Sequence, residues 1–167
     1  ITHYSKKRDP KKPFLLCAQY KVPHIHRLPP INRMKGYDEI EFPVPNTFFD
    51  NFSTRSSFVS KTWMALKGMK GHVLNIAPTM DEINKNPKIR PPFLSEMNLK
   101  QRKAWHSAYD QRNLRYRKLI EENKLEGKAK SLYIYQRFIK DYVRCIDGLD
   151  DQIGRILDYL DQNKLSK

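Results

Sequence analysis

Residues 13–24, PFLLCAQYKVPH, carry the stretch on which a reading of the fold turns. Phe14-Leu15-Leu16-Cys17-Ala18 is an uninterrupted apolar run. It follows a basic, proline-containing turn, KKRDPKKP, and stops abruptly at Lys21-Val22-Pro23-His24. A short apolar run bounded by turn signals predicts a strand over 13–20, buried on both faces as in a parallel sheet. Ligands in open α/β sheets collect beyond the carboxyl ends of the strands, where Lys21 and His24 fall. A cation and an imidazole on a proline-stiffened loop suit an anionic substrate. A single strand leaves its backbone groups unpaired. The expectation is therefore that these 167 residues are part of a longer chain.

Working outward, residues 22–45 hold five prolines and no sustained period, which predicts a long ordered loop of the kind that carries function. The TFFDNF stretch, 47–52, reads as its apolar anchor. A helix is expected from Ser53-Thr54 to about Lys67, with Phe58, Val59, Met64 and Leu66 inward and Trp63 at the boundary. Residues 72–97 read as loop with one helical turn near 80–83. Asn98 begins a helix that buries Leu99, Trp105 and Tyr109, and a basic segment, 114–122, continues or follows it. Gly127 breaks the pattern. Over 131–163, Tyr135, Ile139, Tyr142, Ile146, Leu149, Ile153, Ile156 and Leu160 recur in steps of four and three, which predicts one long helix with an apolar stripe. Its other side, from Arg137 through Asp158, reads as solvated, with an Asp151–Arg155 pair one turn apart. Gly148 and Gly154 suggest close packing, because each weakens a helix interior by ~1 kcal/mol.

Charge restricts the partners. Thirty-two Lys and Arg against 18 Asp and Glu leave a formal charge of +14. With pI ≈ 9.8 and mean hydropathy −0.76, this favours nucleic acid, anionic lipid or an anionic glycan. Trp63, Trp105 and the tyrosines fall at helical spacing beside aliphatics, which reads as core and not as a base-stacking platform. No helix-turn-helix, zinc-finger or RNA-binding signature is present, so nucleic acid is not the expected partner. No apolar run approaches the ~20 residues needed to span a bilayer. The chain starts at Ile1 and not Met, so the lack of a signal peptide carries no information. Cys17 and Cys145 form no CxxC, His3, His72 and His106 have no ligand spacing, and Asp150-Asp151 reads as helix surface; no metal site is expected.

Three stretches together resemble one family. KKPFLL (11–16) with KVPH (21–24) is similar to the KPFFL…KxPH segment of the type I, formylglycine-dependent sulfatases of the alkaline phosphatase superfamily. YQRFIKDYVR (135–144) running into LDDQIGRILDYL (149–160) resembles the long helix of that family. Leu99-Lys100-Gln101-Arg102, Trp105 and Ala108-Tyr109-Asp110 are similar to a segment of bacterial polysaccharide sulfatases. The resemblance implies an α/β fold: part of one alkaline-phosphatase-like catalytic domain with a central-sheet strand, a long Pro-rich loop and several helices. It implies a sulfuric ester hydrolase acting on a sulfated carbohydrate, periplasmic or secreted, or lysosomal in a eukaryote.

By resemblance His24 is the catalytic histidine of the sulfate pocket, assisting the leaving oxygen, and Lys21 is a substrate-binding residue. His26 and Arg27 are added as substrate contacts from proximity alone. The family's nucleophile comes from a C/S-x-P-x-R motif and its calcium from Asp-rich strand ends. Neither motif occurs here, so formylglycine and calcium are expected from the regions flanking residues 1–167, and the piece alone is expected to be inactive. The alternatives are a non-enzymatic basic module that binds a polyanion, and a phosphate-handling or inactive relative in the same superfamily.

Overall fold

The computed structural model describes residues 6–61, 69 and 71–166. The helices in chain order are α1 (Ser57–Lys61), α2 (Met80–Lys85), α3 (Pro92–Ser95), α4 (Leu99–Glu121) and α5 (Gly127–Gln162), with 3₁₀ turns at Ile31–Arg33, Gly71–Leu74 and Pro87–Ile89. Two of the starts follow from local chemistry. Thr79 caps α2 and Asn98 caps α4 in reciprocal capping boxes with Glu82 and Gln101, each satisfying backbone N–H groups that the first turn leaves open.

No strand forms among the described residues. The predicted strand at 13–20 is irregular, with Leu15 84% and Leu16 41% exposed. A strand is defined by its ladder, and nothing described here supplies a neighbour for these backbone groups. The helix expected from Ser53 starts at Ser57 and is described as far as Lys61, and two of its inward assignments fail: Phe58 is 81% exposed and Val59 lies at the surface. Trp63, Met64 and Leu66 lie outside the described residues. Residues 99–121 form one uninterrupted helix, so the basic segment continues it, and Leu99 is exposed while Trp105 and Tyr109 are buried. Gly127, expected to break the pattern, is the first residue of α5 and has φ +51°, a conformation glycine adopts without a Cβ clash.

The core joins α2, α3 and α4 to the loop. Met34, Ala77, Ile83, Phe93, Leu94, Trp105, Ala108 and Tyr109 form one buried cluster. Trp105 stacks on Tyr109 at 4.9 Å and meets the Phe93 ring edge-on at 5.6 Å. This indole belongs to the interior.

The Pro-rich segment lies antiparallel along α5 and is held there residue by residue. Pro30 packs on Gly148, Arg33 forms a bidentate pair with Asp151, and the Tyr37 hydroxyl donates to Asp147. Arg144 Nε donates to the Gly36 carbonyl and Lys140 to that of Asp38. Gln136 accepts from the Phe42 N–H and donates to the Phe42 carbonyl, and the Tyr135 hydroxyl donates to the Pro43 carbonyl. Loop residues 30–43 thus descend a span of helix from 148 to 135, ~20 Å at 1.5 Å per residue. The loop's backbone, which proline bars from a regular ladder, is satisfied by helix side chains.

This arrangement shifts the buried face of α5. The buried residues are Ile134, Asp141, Arg144, Cys145 and Gly148. The predicted stripe lies about 100° round the helix and is only half covered, with Ile153 43% exposed. Arg144, expected in solvent, is 2% exposed. Asp151 pairs with Arg33, and Arg155 bonds Gln152 in place of Asp151.

The two glycines of α5 should respond oppositely to alanine. A Cβ on Gly148 would stand 2.6 Å from two Pro30 ring atoms, whereas Gly154 has nothing within 4 Å. Gly154→Ala is expected to stabilise by about 0.5–1 kcal/mol. Gly148→Ala should lose about 1–2 kcal/mol despite the same propensity gain, because the ring cannot yield without moving the loop. Thermal melts followed by circular dichroism decide this, and equal shifts would refute it. A second expectation concerns acid. The Arg117 guanidinium and the Thr79 N–H hold the Glu82 carboxyl down at about 2. Its contribution is complete above the ordinary value near 4.5 and is lost as pH falls toward 2. Arg117→Ala should flatten the stability-versus-pH curve in that window; an unchanged curve would count against the pair.

Candidate functional site

The loop from Lys21 to Leu28 is closed by backbone bonds, His24 N–H to the Lys21 carbonyl at 3.0 Å and Leu28 N–H to the His26 carbonyl at 3.0 Å. Four residues were expected to act together here, and the structure divides them. Lys21 and His24 are exposed, while His26 and Arg27 are partly buried against the body.

His24 Nδ1 lies 2.7 Å from the Ile25 carbonyl oxygen. A carbonyl only accepts, so Nδ1 carries the hydrogen. That fixes the neutral tautomer and leaves Nε2 as the proton-accepting atom, able to donate once the ring is an imidazolium. The exposed ring can therefore exchange a proton with a bound group through Nε2 alone.

His26 stacks on Phe93 at 4.8 Å between ring centroids, tying the loop to the core. The Arg27 guanidinium lies over the Phe138 ring of α5 at 4.2 Å and donates to the Val73 carbonyl at 3.2 Å. Burial pulls it below the ordinary arginine value. These two side chains anchor the loop.

The anchor continues into a polar cluster that sequence reasoning did not anticipate. Asn75, fully buried, donates through Nδ2 to the Arg27 carbonyl at 2.8 Å and to Asp141 Oδ2 at 2.9 Å. The other Asp141 oxygen accepts from the Tyr109 hydroxyl at 2.8 Å and from Arg144 Nη1 at 2.7 Å. Burial and the neighbouring Asp141 charge raise the Tyr109 phenol well above its ordinary value, so it stays a donor. The Asn75 carbonyl accepts from Asn113 and Arg137. Asn75 has φ +52°, a left-handed conformation in which asparagine is enriched. That preference was the available signal, together with a lone Asp at 141 flanked by Lys140 and Tyr142. The cluster fixes where the base of the Lys21–Arg27 loop meets α4 and α5.

The cofactors implied by the sequence resemblance do not fit these residues. Among the described residues no three His, Cys, Asp or Glu side chains converge as a metal site would need. Cys17 is followed by Ala-Gln-Tyr-Lys, and Cys145 is buried with its thiol pushed up to about 12 by burial. Neither stands in the C/S-x-P-x-R setting. No described helix is long and apolar enough to cross a membrane.

Comparison with known proteins agrees with the motifs. No family profile matches the chain. It is 28% identical over 162 residues to an N-acetylglucosamine-6-O-sulfatase of Bacteroides thetaiotaomicron, covering 96% of this chain and 28% of that protein. A solved structure of a protein in complex with its substrate, D-glucosamine-2-N,6-O-disulfate, superposes with a TM-score of 0.85 at 28% identity, over 96% of this chain and 32% of that one. The chain thus spans less than a third of each. Along nearly its whole length it is similar to one segment of a sulfatase, an enzyme of the sulfuric ester hydrolase class.

Proposed function

We propose that this chain is one part of a single sulfatase catalytic domain whose parent protein removes sulfate from an amino sugar of a sulfated glycan. The observation that carries this reading is the match over 96% of the chain to an N-acetylglucosamine-6-O-sulfatase, joined to the fold similarity with a protein bound to a disulfated glucosamine. The half-covered apolar stripe of α5 and the exposed Leu15 and Leu16 support a segment of something larger, because apolar surface of this extent gains by burial. In the complete protein, residues 13–20 would join a central sheet. Formylglycine and calcium would come from regions outside these residues, and the secreted or periplasmic location common to such enzymes is part of the same reading.

Within the chain, His24 is the catalytic group. With Nδ1 committed to the Ile25 carbonyl, Nε2 as imidazolium donates to the ester oxygen as the bond to sulfur breaks. Lys21, at the same exposed turn, offers a charge-assisted contact to sulfate or to an anionic sugar. His26 and Arg27 contribute by holding that turn and not by touching substrate.

His24→Ala in the full-length protein should lower turnover of a 6-sulfated glucosamine at least about tenfold, the low end for loss of a general acid. Near-wild-type turnover would remove His24 from the catalytic assignment. Reading the flanking coding sequence tests the wider claim: a C/S-x-P-x-R motif upstream is expected, and its absence from a complete gene would refute an active sulfatase.

A further inference from the structure

A second feature, adjoining the cluster that anchors the His24 loop, lies between α4 and α5. A cleft of about 220 Å³ is lined by Arg112, Arg115, Arg137, Lys140, Arg144 and the Asp141 carboxylate among others; none of Lys21, His24, His26 or Arg27 lines it. Five of these side chains are cationic. Two have carboxylate partners: Arg112 and Arg144 share Asp38, each at 2.6 Å, and Arg144 also meets Asp141. The other three do not. Among the described residues, Arg115, Arg137 and Lys140 form no ion pair.

Arg137 makes the imbalance informative. Its guanidinium is largely withdrawn from solvent, and every hydrogen bond it makes goes to a neutral acceptor: the carbonyls of Leu74, Asn75 and Arg112 and the side-chain oxygen of Asn113. Burial lowers its pKa accordingly. The Asp141 carboxylate one turn along α5 opposes this burial, but it is already paired with Arg144, and a cation withdrawn from water on neutral acceptors with only a shared countercharge remains costly. Lys140 spends one donor on the Asp38 carbonyl, leaving two. Arg115 is exposed at the rim. At ~30 Å³ per water, the cleft holds about seven waters, room enough for a tetrahedral oxyanion.

We propose that this cleft binds an oxyanion, a sulfate or carboxylate group, whose charge is matched by Arg115, Arg137 and Lys140. Guanidinium groups suit such a ligand because they pair with oxyanions in a planar fork. The oxyanion is either a free inorganic ion or a substituent on a sugar, and the same chemistry serves both.

Calorimetric titration of the full-length protein with sodium sulfate, against sodium chloride at matched ionic strength, tests this. The expected result is saturable binding at about 1 mM or tighter that Arg115→Glu weakens at least tenfold, with Arg115→Ala/Lys140→Ala behaving alike. Both positions reach the surface, and circular dichroism verifies the fold. If the protein is a sulfatase, sulfate binding at the His24 loop adds a second event, which Arg115→Glu should leave in place while it removes the event at the cleft. Tighter binding of glucosamine 6-sulfate than of sulfate would mark a glycan contact, and the reverse order a free-ion site. Sulfate binding that is lost in His24→Ala but kept in Arg115→Glu would overturn the assignment. So would the absence of saturation up to about 20 mM.

Discussion

One buried carboxylate organises the molecule. Asp141 is 1% exposed, and its two oxygens receive the Tyr109 hydroxyl, Arg144 and Asn75. Those three donors come from α4, from α5 itself and from the turn preceding α2. The loop enters the same cluster through Asn75 and the Arg27 carbonyl. Breaking a buried pair by removing one partner costs about 3–5 kcal/mol, a large fraction of the stability of a small domain. The apolar cluster around Trp105 supplies burial, but it does not say how α5 should be rotated against it. The carboxylate does, because its acceptors are directional.

That division explains why so much of this helix could be read and its facing could not. Periodicity announced a long helix, and α5 is there. It could not say which side is covered, since covering depends on partners. Where the partner is a Pro-rich loop with unpaired carbonyls, the helix residues that bury are donors. Polarity alone assigns Arg137, Lys140 and Arg144 to the solvent side, whereas each donates to a backbone carbonyl of the chain packed against α5. The capped starts at Thr79 and Asn98 were legible in full or in part because a capping box is local. The strand predicted at 13–20 is a different case, because a strand is a property of two segments and no partner for it lies among the described residues.

The candidate site shows the same limit at smaller scale. The KVPH motif lies on a turn where Lys21 and His24 are exposed and open to a ligand. His26 and Arg27 were added on adjacency, yet consecutive residues of a tight turn point different ways. One pair meets solvent, and the other meets Phe93 and Phe138. Asn75, which holds the turn's base, is 48 residues from Arg27 in sequence, beyond any local pattern.

The pairing of the Pro-rich loop with α5 has a consequence for how this sequence can change over time. The helix offers its partners at fixed angular positions, so one residue gained or lost within α5 would rotate every later partner by about 100° and unzip the loop beyond that point. The loop can absorb an extra residue as a bulge between two anchors, with only the nearest contacts disturbed. Length variation among descendants of this chain should therefore collect in residues 31–42 and be purged from 135–151, even though the loop looks more irregular and the helix more robust.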